Sequence, residues 1–317
     1  MRTAFIDALV ERAESNPRIW LVTGDLGYSV LERFADRFPD RFVNAGVAEQ
    51  NMIGVASGLA RSGATVFVYS IANFPTFRCL EQIRNDVCYA GAAVTIVSVG
   101  SGFSYGAHGS THHAIEDLAV MRALPGIVVV SPGDPTEARL ATGALAERAG
   151  PAYLRLGKAG ETIVDACAGD EFALGHMRLV REGVDVTVIA TGSVLAIVDA
   201  AAEALRDDGI SARVYSAHTL KPFDSRTLLR AMSETAGIVT VEEHRLVGGL
   251  RSAVAEALLD VPDRPRGGIR SLGVSPDLVL GTGDQAHLRA VSGLTVDSIR
   301  DAVRSVADAA RHSSLRA

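Results

Sequence analysis

The sequence is poor in cysteine and lacks the patterns that cysteines form in extracellular or metal-binding proteins. Its 317 residues include 3 cysteines, Cys79, Cys88 and Cys167, without a CxxC pair or the spacing of a metal site. Secreted disulfide scaffolds are much richer in cysteine, so we predict a cytoplasmic protein with reduced thiols. The N-terminus reaches Asp7 and Glu11 without an apolar segment, and no signal peptide is predicted.

Basic clusters and long apolar runs are also missing. The net charge is −6, from 31 Lys and Arg against 37 Asp and Glu, with no basic block. This argues against nucleic acid or an anionic membrane as the main partner. The longest apolar runs, such as 126–130, have the length of a strand and are too short to span a membrane. What is present, 48% hydrophobic residues and 31 glycines, is typical of an α/β protein, and the length suggests two domains.

Short apolar strands alternate with helical segments along the chain. The strands predicted in the first half are 19–23, 41–44, 64–69, 94–99, 127–130 and 152–156. This alternation predicts a mostly parallel sheet with helices on both faces. After a glycine-rich stretch the pattern restarts, with strands at 184–190, 212–216 and 238–241 and caps at Asp134 and Ser193. We therefore predict an α/β fold with domains at 1–160 and 183–317, joined by a linker at 161–182.

The stretch 44–58, N-A-G-V-A-E-Q-N-M-I-G-V-A-S-G, predicts a helix that begins near Ala48. Its one ionisable residue, Glu49, lies in the first turn, where the helix dipole favours an acid. Gly54 and Gly58 are four residues apart on one face, so another backbone could approach closely there. Because small residues make a poor surface helix, we expect this helix to be buried.

Four polar or aromatic loops follow predicted strands, at 24–29, 44–49, 70–77 and 100–113. In open parallel sheets, ligands bind beyond the carboxyl ends of the strands, so we expect these loops at one rim. The last loop holds three of the eight histidines within six residues. Metal binding and proton transfer are both open, but no further cysteine or acid completes a zinc site. Its G-F-S-Y-G segment matches GxSxG, yet the helix that a nucleophile elbow requires does not follow.

Several long motifs occur in a fixed order: G-V-A-E-Q-N-M, E-Q-I-R-N, G-S-T-H-H-A-I-E-D-L-A-V-M-R-A-L-P-G, A-Y-L-R-L-G-K, V-T-V-I-A-T-G-S and V-T-V-E-E-H-R-L-V-G-G-L. On these motifs nearly the whole chain resembles the C-terminal half of transketolase, in the form encoded as a separate subunit. The resemblance implies a pyrimidine-binding domain followed by the transketolase C-terminal domain. It also implies thiamine diphosphate between two chains, with its aminopyrimidine on this one.

The resemblance assigns Glu49 to the carboxyl group that hydrogen-bonds a pyrimidine ring nitrogen. A carboxyl group in an apolar pocket has a raised pKa, so it can share a proton with a weakly basic nitrogen. Ile71, Phe74 and Phe77 match aromatic positions spaced three apart, with Phe74 as the stacking ring and Ile71 as a departure. Asp25, in the loop after the first strand, is a further cofactor-binding candidate.

The substrate side is assigned in the same way. His112 matches the catalytic histidine that contacts the reacting oxygens, and His113, also a catalytic candidate, stands where glutamine is common. Arg2, Ser29 and Arg155 match residues that bind the phosphate of the acceptor, for which the charged fork of arginine is suited.

Two positions depart from the family pattern. His108, a substrate-binding candidate, replaces an aspartate that reads a hydroxyl of the donor, and Gly100 replaces a phosphate-binding histidine. These changes imply an altered substrate, such as an unusual ketose, a nucleotide-linked sugar or a 2-oxoacid. His244, in the E-E-H motif, is expected to have a structural rather than a catalytic role.

The family's GDG motif and the asparagine after it, which bind Mg²⁺ and the diphosphate, are missing from this sequence. We therefore expect the Mg²⁺ ligands on a partner subunit with the diphosphate domain, in an α2β2 assembly. The predicted function is transfer of a two-carbon ketol unit from a ketose donor, free or phosphorylated, to an aldose acceptor. The alternatives are the β subunit of a 2-oxoacid dehydrogenase, a relative of deoxyxylulose-phosphate synthase, and a non-catalytic scaffolding subunit.

Overall fold

The strands form two sheets in the computed structural model, which describes residues 1–167, 171–262, 265–275 and 281–314. Within these ranges the strands are β1 (Ile19–Thr23), β2 (Phe42–Asn44), β3 (Thr65–Ile71), β4 (Val94–Val99), β5 (Val128–Val130), β6 (Ala152–Leu156), β7 (Arg178–Arg181), β8 (Val186–Thr191), β9 (Ala212–Ser216), β10 (Thr219–Lys221), β11 (Ile238–Arg245) and β12 (Ile269–Val274). The seven-stranded sheet has the order β10-β5-β6-β4-β3-β1-β2, and the five-stranded sheet has the order β12-β11-β8-β9-β7. Neighbouring strands run parallel, except that β10 with β5 and β7 with β9 are antiparallel.

Helices cover both sheets. They are α1 (Arg2–Ser15), α2 (Glu32–Arg37), α3 (Glu49–Arg61), α4 (Asn73–Thr76), α5 (Leu80–Gln82), α6 (Asp117–Ala123), α7 (Pro135–Glu147), α8 (Leu195–Leu205), α9 (Ser225–Glu234), α10 (Leu250–Ala257), α11 (Gln285–Val291) and α12 (Val296–Ser314). Helix α5 continues as a π-helical segment over Ile83–Cys88. None of the described helices has the length and apolar character needed to cross a membrane.

The predicted α/β class is confirmed, and burial of the strands explains it. Every residue of β4, β6 and β8 is buried, as expected for strands covered by helices on both faces. On one face of the first sheet, α1 and α7 pack together over the core around Phe5, Leu9 and Leu154. The opposite face includes Met52 and Ile53 of α3.

Several elements differ from the predicted pattern. β7 lies inside the range 161–182 and pairs with β9 of the second sheet. β10 follows β9 in sequence but pairs with β5 of the first sheet, so the later part of the chain extends that sheet. Asp134 caps α7 as predicted, by accepting a hydrogen bond from the Glu137 N–H at 2.7 Å. Ser193 does not cap α8, because it lies within a 3₁₀ turn, Gly192–Val194, that precedes the helix.

Helix α3 begins at Glu49 as predicted, with Ala48 at its N-cap. Its buried face includes Met52, Ile53 and Ala56. The expectation that the whole helix is buried is wrong for the single chain, because Gly54 and Gly58 lie on the opposite, exposed face. A Cβ atom added at either glycine would have no neighbour within 4 Å in the described structure.

The predicted rim of loops is confirmed by strand order. β2, β1, β3 and β4 are consecutive neighbours and run in the same direction. Their carboxyl ends therefore lie along one edge of the sheet, and the loops after them meet there.

Candidate active site

Glu49 lies at the start of α3, with 7% of its surface exposed. Its carboxylate accepts a hydrogen bond from Arg78, with 3.1 Å between Oε1 and Nη1. The two residues are 29 positions apart, so the pair could not be recognised from local sequence. The surroundings expected for Glu49 were apolar. The structure corrects this expectation, because the charged guanidinium of Arg78 lies directly against the carboxylate.

Phe74 lies in α4, directly after β3. The Arg78 guanidinium carbon lies over the Phe74 ring, 4.1 Å from its centroid, in a cation–π contact. On another side, the ring of His112 meets Phe74 edge-on, with 5.4 Å between centroids. Asn73 links the same helix to the histidine loop, since its side-chain nitrogen donates to the carbonyl oxygens of Thr111 and His113 at 2.9 Å each. The loops after β3 and β4 are therefore fixed against each other.

The other two predicted stacking positions flank Phe74 at different depths. Ile71 is the last residue of β3 and is half-buried. Phe77 is the C-cap of α4 and is 41% exposed. Phe74 is the member of the three whose ring contacts both Arg78 and His112.

His112 is surrounded by other rings of the loop 100–113. Its ring centroid is 4.9 Å from that of His108 and 6.4 Å from that of Tyr105. Burial, followed by the neighbouring His108, His113 and Arg78, lowers the pKa of His112 below its ordinary value. His112 is therefore neutral at pH 7, so its ring can donate one hydrogen bond and accept another.

His113 is not placed beside His112. It is buried, with its ring edge-on to Phe103 and a centroid distance of 5.4 Å. Its Nε2 lies 3.3 Å from the carbonyl oxygen of Gly106. The His113 side chain therefore packs beneath the loop and away from the rim. This position does not support the predicted catalytic role.

Arg155 is also separated from the rim, contrary to the prediction that it binds substrate phosphate. It is 2% exposed and forms a bidentate pair with Asp117, at 2.8 Å from Nε to Oδ2 and 3.2 Å from Nη2 to Oδ1. Nη2 also donates to the carbonyl oxygens of Ala114 and Glu243. Burial would raise the pKa of Asp117, but the charge of Arg155 holds it below its ordinary value. The pair is part of the packing between the two sheets.

The rim does carry cations, including one that the sequence reasoning missed. Lys158 follows β6, and its Nζ lies 5.3 Å from the centroid of the Tyr105 ring. Arg2 begins α1, and its buried Nε has no hydrogen-bond partner among the described residues. Burial raises the pKa of Tyr105, and the charge of Arg2 opposes this rise, so Arg2 acts on the same ring. The signal for Lys158 was available as the last residue of A-Y-L-R-L-G-K.

Tyr105 also explains the departure at Gly100. Gly100 has a φ of +97°, and a Cβ atom there would overlap the Tyr105 ring. A histidine could not occupy this position without moving Tyr105. Tyr105 instead lies between His108, at a centroid distance of 5.9 Å, and Lys158.

The loop after β1 is fixed by polar contacts. The Asp25 N–H donates to Asn44 Oδ1 at 3.0 Å, and Asn44 Nδ2 donates to Asp25 Oδ1 at 3.1 Å. Tyr28 donates its hydroxyl to the same Asp25 oxygen at 3.0 Å. Asp25 and Ser29 have positive φ values, 56° and 63°, and the Ser29 N–H donates to Glu32. Ser29 remains exposed, whereas Asp25 mainly joins the loops after β1 and β2.

The space in front of Glu49 is a depression of about 490 Å³. It is lined by the start of α3 and by Arg78. Arg78 contacts both the Glu49 carboxylate and the face of the Phe74 ring, and these two groups suit a planar heterocycle that bears nitrogen donors once Arg78 moves away. In the described part of the chain, no group of three His, Cys, Asp or Glu side chains is arranged to hold a metal ion.

Two family profiles match most of the chain. Residues 1–160 match the transketolase pyrimidine-binding domain, and residues 175–299 match the transketolase C-terminal domain. The chain therefore belongs to the transketolase family, whose members depend on thiamine diphosphate. Within this family it is a transketolase-like subunit of the split form, with the pyrimidine-binding and C-terminal domains on one chain.

Similar proteins include split transketolase subunits. A 6-deoxy-6-sulfo-D-fructose transketolase subunit from a Clostridium species is 38% identical over 97% of this chain and 94% of the relative. One of the subunits of an apulose-4-phosphate transketolase from Phocaeicola vulgatus is 38% identical over 94% of each chain. A solved split-gene transketolase, described as an inactive β4 tetramer, has a TM-score of 0.86 and 37% identity over 98% of both chains. The chain also matches about half, 47%, of a 1-deoxy-D-xylulose-5-phosphate synthase from Heliobacterium modesticaldum, with 34% identity.

Proposed function

We propose that Glu49 and Phe74 hold the pyrimidine ring of thiamine diphosphate and that His112 binds the reacting end of a ketose donor. The observation that carries this proposal is one chain of contacts. Arg78 touches Glu49 and Phe74, and Phe74 touches His112. A proton acceptor, a stacking surface and a neutral histidine therefore meet at the carboxyl edge of β2, β1, β3 and β4.

In this proposal each side chain of the rim has a distinct task. The Glu49 carboxyl group holds or receives a proton at a pyrimidine nitrogen, while Phe74 supplies the face on which the ring stacks. Arg78 must leave the Phe74 ring before this can occur. When bound, thiamine diphosphate supplies the electron sink for carbon–carbon bond cleavage and formation.

His112 is placed to hydrogen-bond the oxygen atoms of the substrate. A neutral imidazole can donate to a carbonyl oxygen and accept from a hydroxyl group, and burial and its neighbours keep His112 neutral at pH 7. His108, 4.9 Å away, is the second imidazole that faces this space. We assign His112 to the reacting end of the donor and His108 to a more distant oxygen.

The substrate class that suits this rim carries an anionic group. Lys158 lies beside Tyr105, the charge of Arg2 acts on the same ring, and Ser29 is exposed on the neighbouring loop. Two relatives are named for substrates with a sulfonate or a phosphate, 6-deoxy-6-sulfo-D-fructose and apulose 4-phosphate. We propose a ketose phosphate or sulfonate as donor. Arg155 is not included, because its guanidinium is buried against Asp117.

We propose a partner subunit that carries the diphosphate domain and the Mg²⁺ ligands, in an α2β2 assembly with two shared sites. The exposed Gly54 and Gly58 face of α3 and the 74% exposed Val47 provide surface on which another chain can pack. The similar β4 tetramer is described as inactive.

We also propose a cytoplasmic location. The three free cysteines fit a reducing compartment, and burial raises the pKa of the Cys79 thiol to about 12.

A reaction like that of deoxyxylulose-phosphate synthase is the second candidate, favoured by the 34% identity to that enzyme from Heliobacterium modesticaldum. It differs in the donor, since pyruvate would replace the ketose. Pyruvate lacks the phosphate or sulfonate proposed for the donor, so the donor assay decides between the two reactions.

The experiment is reconstitution with the partner subunit, followed by assays with ketose phosphates, ketose sulfonates and pyruvate as donors. We expect two-carbon transfer from an anionic ketose, and a loss of about 100-fold or more in Glu49→Gln. Glu81→Gln is a matched control, since Glu81 is an exposed acid of α5 outside the rim. Full activity of Glu49→Gln would overturn the proposal.

A further inference from the structure

A buried carboxylate of the second sheet supports the base of the histidine loop. Glu243, in β11, is 1% exposed. Its Oε1 accepts the backbone N–H of Phe103 at 2.6 Å and a hydrogen bond from Gln285 at 3.0 Å. Its Oε2 accepts from Arg289 Nε at 2.7 Å. Arg289 in α11 therefore balances the charge of Glu243, while Oε1 of Glu243 also reaches the backbone of the histidine loop.

The loop is shaped to receive this carboxylate. Gly102 has a φ of +59°, and a Cβ atom there would overlap the Glu243 carboxyl group. The Phe103 side chain packs in a buried cluster with Ile115, Val274 and Leu288, which holds the loop against β12 and α11. Gly102 and Ala114 exchange two backbone hydrogen bonds of 2.9 Å each, which close the loop at its base. Movement of Phe103 would therefore move this closing bridge.

The two residues after Glu243 hold the other end of the same segment. Arg245 donates its backbone N–H to the carbonyl oxygen of Ile115 at 2.8 Å. Ala119 donates its N–H to Nε2 of His244 at 3.4 Å, and burial lowers the pKa of His244 to about 4, so the ring is a neutral acceptor. Three consecutive residues of β11 thus contact the segment 103–119 near both ends, and His112 lies between those ends.

We propose that Glu243 is a positioning residue that sets the location of His112 at the rim through the Phe103 N–H. The inference rests on the proposed role of His112. It gives the C-terminal part of the chain a task in the reaction, because the carboxylate fixes the base of the loop from below. Without this acceptor, the N–H of Phe103 would lack its buried partner and the loop base would shift to reach another acceptor or water.

The test compares two buried glutamates of similar surroundings in the reconstituted complex. Glu137, like Glu243, accepts one backbone N–H, from Gly133, one arginine, Arg178, and one polar side chain, Ser216. These contacts join α7 to β7 and β9, away from the histidine loop. We expect Glu243→Met to lower kcat about 10- to 100-fold with little change in thiamine diphosphate affinity. Glu137→Met should lose comparable thermal stability but keep kcat within about twofold.

Glu243→Gln is the conservative variant, because its amide oxygen can still accept the Phe103 N–H. We expect it to recover most of the kcat that Glu243→Met loses, although both remove the charge beside Arg289. In addition, the acidic limb of the kcat profile should move to higher pH in Glu243→Met, because a displaced His112 would leave the surroundings that lower its pKa. A role limited to stability would not produce this rescue or this shift.

Hydrogen exchange of the isolated chain provides a readout that does not need activity. Backbone amides over 102–114 should exchange faster in Glu243→Met and in Gly102→Ala, which disturbs the same contact from the loop side, than in Glu137→Met. Unchanged exchange together with unchanged kcat in Glu243→Met would overturn the inference. An equal loss of kcat in Glu137→Met would also overturn it. If the wild-type complex shows no ketol transfer, the proposed function fails, while the exchange result still decides whether Glu243 holds the loop.

Discussion

Arg78 occupies the two features that a pyrimidine ring would need, and its removal is the most informative single change at the rim. Its guanidinium pairs with Glu49 at 3.1 Å and covers the Phe74 ring at 4.1 Å. The Arg78 side chain is 52% exposed, so the ion pair is worth about 0.2–1 kcal/mol. The cation–π contact adds about 0.5–1 kcal/mol at such a site.

The cofactor has to replace both contacts, so Arg78→Ala should remove a competitor worth about 1–2 kcal/mol. Thiamine diphosphate should then bind roughly 5- to 30-fold more tightly to the reconstituted complex. Isothermal titration calorimetry with Mg²⁺ present measures this change directly.

A matched control is Arg84→Ala, which removes another exposed arginine that covers an aromatic ring, Tyr89, at 4.7 Å. This contact lies outside the rim, and the variant should leave cofactor affinity within about twofold of the wild type. Weaker binding in Arg78→Ala would refute the reasoning. It would show that the guanidinium supports the bound cofactor instead of competing with it.

Three further variants test the remaining parts of the rim. Phe74→Ala should weaken thiamine diphosphate binding by roughly 2- to 13-fold through lost stacking, measured by the same titration. His108→Asn should move the acidic limb of the kcat profile to higher pH. Burial is the main cause that lowers the pKa of His112, and His108 is the next, so without His108 the ring of His112 gains its proton at a higher pH. Lys158→Ala should raise KM for a phosphorylated donor by about 5- to 20-fold and leave KM for an uncharged ketose unchanged, as initial-rate assays would show.

The sheets and the rim could be predicted because their signals are local. Mostly apolar strands such as 94–99 and 152–156 match β4 and β6 residue for residue, since strands covered on both faces form nearly continuous apolar runs. The rim followed from the position of each loop after a strand. β10 could not be predicted, because it is three residues long and its pairing with β5 is a tertiary contact.

The side-chain environment of the site was less predictable. Nothing local to Glu49 indicates that Arg78 reaches it, and the role of Arg155 depends on the buried Asp117, 38 residues away. The sequence pattern could place Arg155 on a strand next to the rim. It could not show whether the Arg155 side chain points to the rim or to the core. Lys158, three residues further on, is the cation of this motif that lies near the rim.

The open face of α3 has a similar explanation. A run of small residues predicts that another element packs closely against the helix. It does not show whether that element belongs to the same chain or to a partner. In the single chain, Gly54 and Gly58 have open space before them. The sequence indicated that something packs on this face, and the structure shows that the described part of this chain does not.

The central claim is that this chain provides the pyrimidine half of a site whose diphosphate half lies on another subunit. Its most direct test is calorimetric titration of thiamine diphosphate and Mg²⁺ into this chain alone, the diphosphate-domain subunit alone, and the two mixed. We expect tight binding only in the mixture, with one cofactor for each pair of chains. Equally tight binding to this chain alone would contradict it.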